Sequence, residues 1–398
     1  MKYHLLGIGG VGMSALATAL LRQGHEVSGA DRNLATANIR FLTSLGVKCF
    51  PDDGSGVNEE TSEIIVSTAI EADNPALIKA KAHGIPVVHR AKALARALSG
   101  YKLIAVVGTC GKSTVTAMLG HILSECNLDP MCVNGANVPG WEGAVKYGRG
   151  EYAVAEVDES DKSLVAFSPY AAIVTNASAD HYSCEEMNEV FDAFIKPITG
   201  PVIDARKERY APEDYNLQNA ALAVRMAVAL GLDKKAAEKA MESFPGVERR
   251  LQKVGEGVYD DYAHNPEKLR SMIRALKKSR AGAMCIVWRP HGYAPLRKML
   301  NALAEMFAEE LSVNDALLLL PVYDAGGSTD RSINSEALVE AIKAINLEIK
   351  VEKIESHDTV VARLLETKAK YNTVVTAGAR DPELPALAKR IADLIHNK

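Results

Sequence analysis

The segment from Leu103 to Thr114 constrains the fold more than any other part of the chain. It reads LIAVVGTCGKST, a run of mostly branched apolar residues followed by a loop of small residues and by helix-forming sequence to about Ser124. This pattern predicts a buried parallel strand, a loop and a helix. Backbone N–H groups of such a loop, with the positive end of the helix dipole, bind phosphate oxygens. A phosphate loop is therefore predicted, although Val106 replaces the first glycine of the full pattern and a chance Gly-Lys-Ser at a helix start is the alternative.

The side chains of this loop have separate roles in phosphate chemistry. Lys112 is expected to reach the β- and γ-phosphates of a nucleotide, and the hydroxyl of Ser113 or Thr114 to ligate magnesium. The residues predicted to contact the nucleotide phosphates are Gly108, Thr109, Gly111, Lys112, Ser113 and Thr114.

A second glycine-rich turn lies near the start of the chain. A short apolar stretch leads into Gly7–Gly12, which has the pattern GxGxxG and precedes an Ala/Leu-rich helix. A further strand ends at Asp31, about twenty residues later, as in dinucleotide-binding folds. Taken alone, this fingerprint favours a nicotinamide-dependent oxidoreductase, and any Rossmann-like unit that holds a phosphate is the alternative.

Carboxylates and a histidine follow two strands after the phosphate loop. The strand at 152–155 ends in Glu156, and the strand at 171–176 leads to His181. Ligands of α/β proteins bind at the carboxyl ends of parallel strands, so these side chains predict a metal site with Glu156 and His181 as ligands. The alternative is that they are loop caps and part of a solvated acidic face.

Length and charge limit the classes of protein that remain. A chain of 398 residues favours two or three domains, and 47% hydrophobic residues are ordinary for a globular protein. No apolar run approaches the roughly 20 residues of a membrane span, and no basic block indicates nucleic acid. Six cysteines without a CxxC pair, and an N-terminus without the shape of a signal peptide, predict reduced thiols and a cytoplasmic location.

Breaks in the pattern divide the chain into three α/β domains. A new strand and the phosphate loop begin just after Ser99, and Pro245-Gly246 breaks the chain after a pair of amphipathic helices. We therefore expect an N-terminal Rossmann-like domain at 1–99, a central P-loop ATPase-like domain at 100–244 and a C-terminal Rossmann-like domain at 245–398.

Short motifs along nearly the whole chain resemble those of the Mur ligases, ATP-dependent amide-bond-forming enzymes of peptidoglycan precursor assembly. The resemblance is strongest to the members that add alanine. In chain order the motifs are GIGGVGMSALA, SGAD, VSTAIEADNP, GTCGKST, AEVDESD, IVTNASADH, NLQNA, PGVERRLQ, DDYAHNP, PHGY and LPVYDAGG. So many motifs in family order are more specific than one glycine loop, which lowers the weight of the oxidoreductase hypothesis.

The resemblance implies an activity and its substrates. The enzyme would use ATP and Mg²⁺ to join L-alanine, or a related amino acid, to the carboxylate of UDP-N-acetylmuramate through an acyl phosphate. Closure of the third domain would exclude water from that intermediate. Alternatives are a ligase that adds another amino acid or a peptide to a UDP-sugar or other carboxylate, and a non-catalytic relative that binds nucleotide. A monomer or homodimer is expected, without nucleic-acid or membrane partners.

The resemblance also implies individual site residues. Those that would bind the UDP-sugar are Gly9, Gly10, Val11, Gly12, Asp31, Ser67 and Asn134. Besides the phosphate loop, ATP would contact Asn216, Asn219, Arg250 and Asp261, and magnesium would contact Thr114, Glu156 and His181. The residues expected to act in catalysis are Lys112, Glu156, His181, His264 and His291.

Two departures from the family pattern affect these expectations. The 34 residues at 182–215 are fewer than the alanine-adding members carry there, so we expect a shortened central domain. Gly292 and Pro295 stand where those members carry arginines, although Arg297 remains, and Asn265 is closer to members that extend a peptide. Because arginine forms bidentate pairs with carboxylates, we expect weak binding of alanine and a preference for a larger amine.

Replacing Gly10 by valine tests whether the first glycine loop holds a diphosphate. A branched side chain should keep the backbone away from the ligand. We expect weaker binding of the UDP-sugar and nearly unchanged binding of ATP, because the two loops lie in separate predicted domains. Titration calorimetry measures both affinities. Equal losses would mean that the change unfolds the protein, and tight NADH binding by the unaltered protein would favour the oxidoreductase.

Overall fold

The computed structural model describes residues 1–158, 163–177, 184–207, 215–324, 329–367 and 370–396. The chain divides into two compact units, 1–247 and 248–398. The described residues form three sheets with helices between their strands, so the prediction of a three-domain α/β chain is confirmed. No helix in this part of the chain combines the length and the apolarity that a membrane span requires.

The first sheet contains the predicted Rossmann-like strands and one helix-strand unit that the sequence pattern does not predict. Its elements are β1 Lys2–Leu6, α1 Val11–Arg22, β2 Glu26–Asp31, α2 Ala37–Ser44, β3 Lys48–Pro51, β4 Glu63–Val66, α3 Pro75–His83, β5 Val87–His89 and α4 Arg90–Ala97. The strand order is β3-β2-β1-β4-β5, with parallel neighbours. The missed unit is α2 with β3, which begins at the cap residue Thr36, whose side chain accepts a hydrogen bond from the Ile39 N–H.

The second sheet is built around the strand of the phosphate loop. Its elements are β6 Lys102–Val107, α5 Lys112–Glu125, β7 Met131–Val133, β8 Val145–Lys146, β9 Tyr152–Glu156, β10 Ala171–Val174, α6 Cys184–Ile195, β11 Val202–Asp204, α7 Tyr215–Ala229 and α8 Lys234–Met241, with 3-10 turns at Ser163–Ala166 and Ala205–Lys207. The order is β11-β10-β6-β9-β7-β8, and β8 runs antiparallel to β7. Because β6 lies inside the sheet, its residues from Ile104 to Val107 are fully buried, which explains the continuous apolar run.

The first two sheets pack into one unit. One hydrophobic cluster includes Leu16 of α1 and Val107 of β6, so the two domains share a core. Ion pairs also join the two domains, because Arg22 pairs with Glu142 and Arg90 pairs with Asp158. The carboxyl ends of β1 and β6 therefore belong to a single packed body.

The second unit holds the third sheet. Its elements are β12 Gln252–Gly255, β13 Val258–Asp261, α9 Pro266–Ser279, β14 Met284–Trp288, α10 Tyr293–Glu310, β15 Ala316–Leu319, α11 Ser335–Ile345, β16 Lys350–Lys353, α12 His357–Glu366, β17 Thr373–Ala377 and α13 Leu384–His396. The order is β12-β13-β17-β14-β15-β16, with β12 antiparallel to β13. Helix α9 begins where the sequence predicts it, because the Asn265 side chain accepts the Lys268 N–H and Pro266 follows.

A buried histidine in the first sheet makes stability depend on pH. His4 of β1 is fully buried, and its Nδ1 lies 2.9 Å from the Ser28 Oγ. Among the described residues its Nε2 has no hydrogen-bond partner. Burial disfavours the imidazolium and lowers the pKa of His4 to about 4, against a small opposing effect of Asp52.

Acid should therefore destabilise the fold through His4. The unfolded chain takes up this proton near pH 6.5, whereas the folded chain does so only near pH 4, so stability is complete above pH 6.5 and falls as the pH decreases toward 4. The loss reaches about 3 kcal/mol over that range. Urea unfolding of the wild type and of His4→Gln at several pH values measures it. We expect a weaker pH dependence in the variant, and parallel curves for the two proteins would contradict the assignment.

Candidate functional site

The phosphate loop has the backbone geometry that its sequence predicts. Gly108 and Gly111 have φ angles of 128° and 85°, which side chains other than glycine rarely adopt. A Cβ atom on Gly108 would lie 2.1 Å from the Thr175 Oγ1, so there is also no space for one. No side chain caps the start of α5, which leaves its first N–H groups facing the loop.

Two residues that follow β10 hold this loop in place. The Thr109 Oγ1 and the Cys110 N–H both donate to the Asn176 Oδ1, at 2.6 and 2.9 Å. The Asn176 Nδ2 and the Thr175 Oγ1 both donate to the Cys110 carbonyl, at 2.9 and 2.6 Å. Thr175 and Asn176 belong to the motif IVTNASADH, which by itself predicts no role for either residue. The geometry gives them the role of fixing the loop for its ligand.

The functional side chains of the loop lie at its entrance to α5. The Lys112 Nζ donates to the Gly108 carbonyl at 2.6 Å, so the ammonium group is folded over the loop. Ser113 is buried, whereas Thr114 is half-buried. In P-loops the hydroxyl directly after the lysine ligates magnesium. That position is Ser113 here, and the choice between Ser113 and Thr114 stays a prediction.

Glu156 lies at the same edge of the sheet as the phosphate loop. It ends β9 and pairs in register with Val106 of β6. Its Oε2 accepts the Gly135 N–H at 2.7 Å, and a Cβ on Gly135 would lie 2.4 Å from the same oxygen. Together with the hydroxyls of Ser113 and Thr114, this carboxylate offers the hard oxygen donors that Mg²⁺ prefers. His181, the other predicted ligand, lies outside the described residues.

Two buried amides have unused hydrogen-bonding atoms. Asn134 donates from its Nδ2 to the Ala136 carbonyl at 3.0 Å, while its Oδ1 has no partner among the described residues. In α7, the Asn219 Nδ2 likewise lacks a partner within that part of the chain, and Asn216 is exposed. A buried unpaired polar atom is costly, so both asparagines fit a role in ligand binding.

The first glycine loop is held by Asp31. The Asp31 Oδ2 accepts the Gly9 N–H at 2.8 Å, and the Asn38 Nδ2 donates to the Gly9 carbonyl at 2.8 Å. Gly10 precedes α1 without a side-chain cap, and Gly10 and Gly12 are both exposed, whereas Val11 is half-buried. Ser67 directly follows β4, the parallel neighbour of β1, and therefore lies at the same edge of the sheet. The predicted UDP-sugar residues of this domain are thus brought together.

Arg90 connects this glycine loop with the acidic strand of the second sheet. Its Nη1 lies 3.4 Å from where a Cβ on Gly12 would be, and its Nη2 lies 3.2 Å from the Asp158 Oδ2. Arg90 is not among the site residues that the sequence predicts. Its position at the start of α4 carries no motif that would have identified it.

In the second unit, a strained turn presents Arg250. Its neighbours Arg249 and Leu251 have φ angles of 58° and 46°, although neither is glycine. Such conformations cost free energy and concentrate at functional sites. The Asp261 carboxylate holds the turn by accepting the Leu251 and Ala263 N–H groups, each at 2.7 Å. Burial raises the pKa of Asp261, and Arg250 partly offsets this. Both Asp261 oxygens already accept hydrogen bonds from the backbone, and the turn that they hold in place orients Arg250.

The two predicted catalytic histidines of this unit lie together. The rings of His264 and His291 are 4.8 Å apart in an edge-to-face arrangement, and Tyr262 packs on His264 at 5.6 Å. The His264 Nδ1 lies 3.0 Å from the Tyr262 carbonyl. Both histidines follow strands, β13 and β14, so they lie at the carboxyl edge of the third sheet.

These features define a nucleotide-binding α/β enzyme, and comparisons with known proteins identify its family. Residues 2–102 match the model of the Mur ligase family catalytic domain, and residues 249–380 match that of the Mur ligase glutamate ligase domain. The chain is 31% identical to the UDP-N-acetylmuramate–L-alanine ligase of Rubrobacter xylanophilus over 440 aligned positions, covering 96% of this chain and 97% of that relative. The chain belongs to the Mur ligase family. Both the resemblance and the prediction of a ligase are confirmed.

Solved structures show the same fold. The UDP-N-acetylmuramate-alanine ligase MurC of Thermotoga maritima superposes with a TM-score of 0.80 at 23% identity, covering 100% of this chain and 99% of that one. A murein peptide ligase of Psychrobacter arcticus has the same coverage, with a TM-score of 0.67 and 19% identity.

Removing the Asn176 side chain should weaken nucleotide binding without unfolding the central domain. In Asn176→Ala the loop loses three hydrogen bonds worth about 1 kcal/mol each, so part of the binding free energy would go into ordering it. We expect the Kd for Mg-ATP to rise by about 10- to 100-fold in titration calorimetry. Asn58→Ala, which changes an exposed asparagine, is the control. An unchanged Kd in Asn176→Ala would show that the loop does not need this support.

Proposed function

We propose that this protein is an ATP-dependent ligase that joins L-alanine, or a related amino acid, to the carboxylate of UDP-N-acetylmuramate. The observation that carries the proposal is the phosphate loop fixed by Thr175 and Asn176 with Glu156 at the same edge of the sheet. Support for the substrates comes from the 31% identity to a UDP-N-acetylmuramate–L-alanine ligase along 96% of this chain.

The chemistry requires activation of a carboxylate. A carboxylate is a poor acyl donor, so its oxygen attacks the γ-phosphorus of ATP, ADP leaves, and an acyl phosphate forms. The amine then attacks the acyl carbon, and inorganic phosphate leaves as the amide bond forms. Lys112 offsets the negative charge on the transferred phosphoryl group. When bound, Mg²⁺ would add charge neutralisation, and its proposed ligands are Glu156, His181 and the hydroxyl of Ser113 or Thr114.

The other predicted residues bind and orient the substrates in this proposal. The first glycine loop takes the diphosphate of the UDP-sugar on the backbone of Gly9–Gly12. The Asn134 Oδ1, which has no partner among the described residues, accepts a hydrogen bond from that substrate. Asn219 donates to adenine, and Arg250 binds the ATP phosphates. The ammonium group must lose one proton before it attacks, and the Nε2 of His264 accepts that proton, while His291 packs on the His264 ring.

A larger amine is the second candidate. Gly292 and Pro295 are shorter than the arginines that the family pattern places at these positions, and this difference favours an amino acid larger than alanine, or a short peptide. The domain boundaries at 99 and 244 are also proposals, supported by family matches that end at 102 and begin at 249. The cytoplasmic location and the oligomeric state stay predictions.

Substrate dependence of phosphate release tests the proposed function. With the purified protein, release should require UDP-N-acetylmuramate, Mg-ATP and an amino acid together, and mass spectrometry should detect the amide product. Lys112→Ala should abolish turnover with little change in Tm, because the lysine acts on the phosphates and is not part of the core. Lys102→Ala, which removes an exposed lysine at the start of β6, the strand that leads into the loop, is the control. Near-normal turnover in Lys112→Ala would contradict the mechanism.

A further inference from the structure

An amino acid that enters this site brings a carboxylate as well as an amine. Removing that carboxylate from water without a cationic partner costs several kcal/mol, so the third domain needs a positive group near the histidines. An arginine suits this task best, because its guanidinium group binds a carboxylate with two parallel hydrogen bonds. An arginine can bind the carboxylate in this way only if its guanidinium group is not already paired with another side chain.

Most arginines around this edge of the third sheet already have partners. Arg249 pairs with Asp260 at 3.0 Å, and Arg289 pairs with Asp381 at 2.7 Å and also donates to the Pro321 carbonyl. Arg297, the residue that the sequence left as a replacement, pairs with Asp330 at 2.8 Å and donates to the Ser332 Oγ at 3.1 Å.

Arg289 is held further by its neighbours. Asp381 also accepts from the His357 Nε2 at 3.0 Å. Although burial raises the pKa of Asp381, the bonds from His357 and Arg289 lower it to about 2, so this carboxylate stays ionised and paired. The group of His357, Asp381 and Glu383 has the spacing of a metal site, but the guanidinium group of Arg289 already supplies its cation.

Arg380 differs from these arginines. It is exposed and makes no hydrogen bond or ion pair with any described residue. Its Nη1 lies 3.8 Å from where a Cβ on Gly292 would be, next to the His291 that packs on His264. A Cβ on Gly292 would also contact the Pro295 Cδ at 3.4 Å, so a larger residue at 292 would crowd the guanidinium group.

We propose that Arg380 binds the α-carboxylate of the incoming amino acid, beside Gly292 and the two histidines. The proposal rests on the proposed ligase function. With the carboxylate on Arg380, the amine lies on the side of the two histidines, of which His264 takes up its proton. Arg380 thereby supplies the guanidinium group that Gly292 and Pro295 lack. The loss of those two arginines then does not require weak binding of alanine.

Steady-state kinetics of Arg380→Gln tests this assignment. The variant should raise the KM for L-alanine by about 10- to 100-fold, the usual effect of losing a hydrogen bond to a charged group, with the KM for ATP and for UDP-N-acetylmuramate within about twofold. Arg380→Lys, which keeps the charge but not the paired donors, should recover part of the loss. Wild type should prefer L-alanine to L-alaninamide, and Arg380→Gln should lose that preference.

Matched variants separate the alternatives. Arg390→Gln, which changes an exposed arginine of α13 paired with Asp358, should leave all KM values unchanged. A larger effect on the KM for L-alanine in Arg297→Gln than in Arg380→Gln would overturn the proposal. A change in the KM for ATP or the UDP-sugar instead would assign Arg380 to a phosphate and also overturn it. An active wild type with an unaffected Arg380→Gln rejects this inference alone, whereas a wild type inactive with every amino acid rejects the proposed function as well.

Discussion

The phosphate loop depends on one amide from a neighbouring strand. Asn176 accepts from the Thr109 side chain and the Cys110 N–H and donates to the Cys110 carbonyl, so the middle of the loop is fixed on both sides. Strand β10, which Asn176 follows, pairs in register with β6, so the ladder between the strands sets the position of that amide. A loop held in this way loses little further entropy when the nucleotide binds. Nucleotide binding is therefore tied to the integrity of the central sheet.

The elements that the sequence predicted well are those whose pattern is local. The buried strand β6, the two glycine loops and the cap at Asn265 each follow from fewer than about twenty neighbouring residues. The unit α2 with β3 was missed because β3 has only four residues, none of them buried, and so shows no apolar run. Asn176 and Cys110 are 66 positions apart, and Arg380 lies next to Gly292 through the pairing of β14 with β17. Contacts between residues so far apart in the sequence cannot be predicted from motif spacing, so only the fold could identify these residues.

The two aspartates predicted to bind ligands, Asp31 and Asp261, organise the backbone around them, and their contact with a ligand stays a prediction. Asp31 accepts the Gly9 and Asn33 N–H groups, and Asp261 accepts those of Leu251 and Ala263. A carboxylate that accepts two backbone bonds is a strong local constraint, because charge-assisted hydrogen bonds are about twice as strong as neutral ones. At Asp261 the constraint maintains the left-handed conformations on both sides of Arg250. An acidic residue at the end of a strand thus has two readings, ligand contact or loop support, and the motif does not distinguish them.

Burial separates two structural arginines of the third domain, Arg249 and Arg289, from Arg380. The side chains of Arg249 and Arg289 are 17% and 23% exposed, and each pairs with an aspartate that is almost fully buried. Breaking such a pair would leave an uncompensated buried charge, so neither guanidinium group can exchange its partner for a ligand without a large cost in stability. An exposed arginine keeps its hydration until a ligand replaces the water, so its unpaired state costs the free protein little. Arg297 and Arg380 are both exposed, but Arg297 pairs with Asp330, whereas Arg380 has no partner among the described residues and lies beside Gly292.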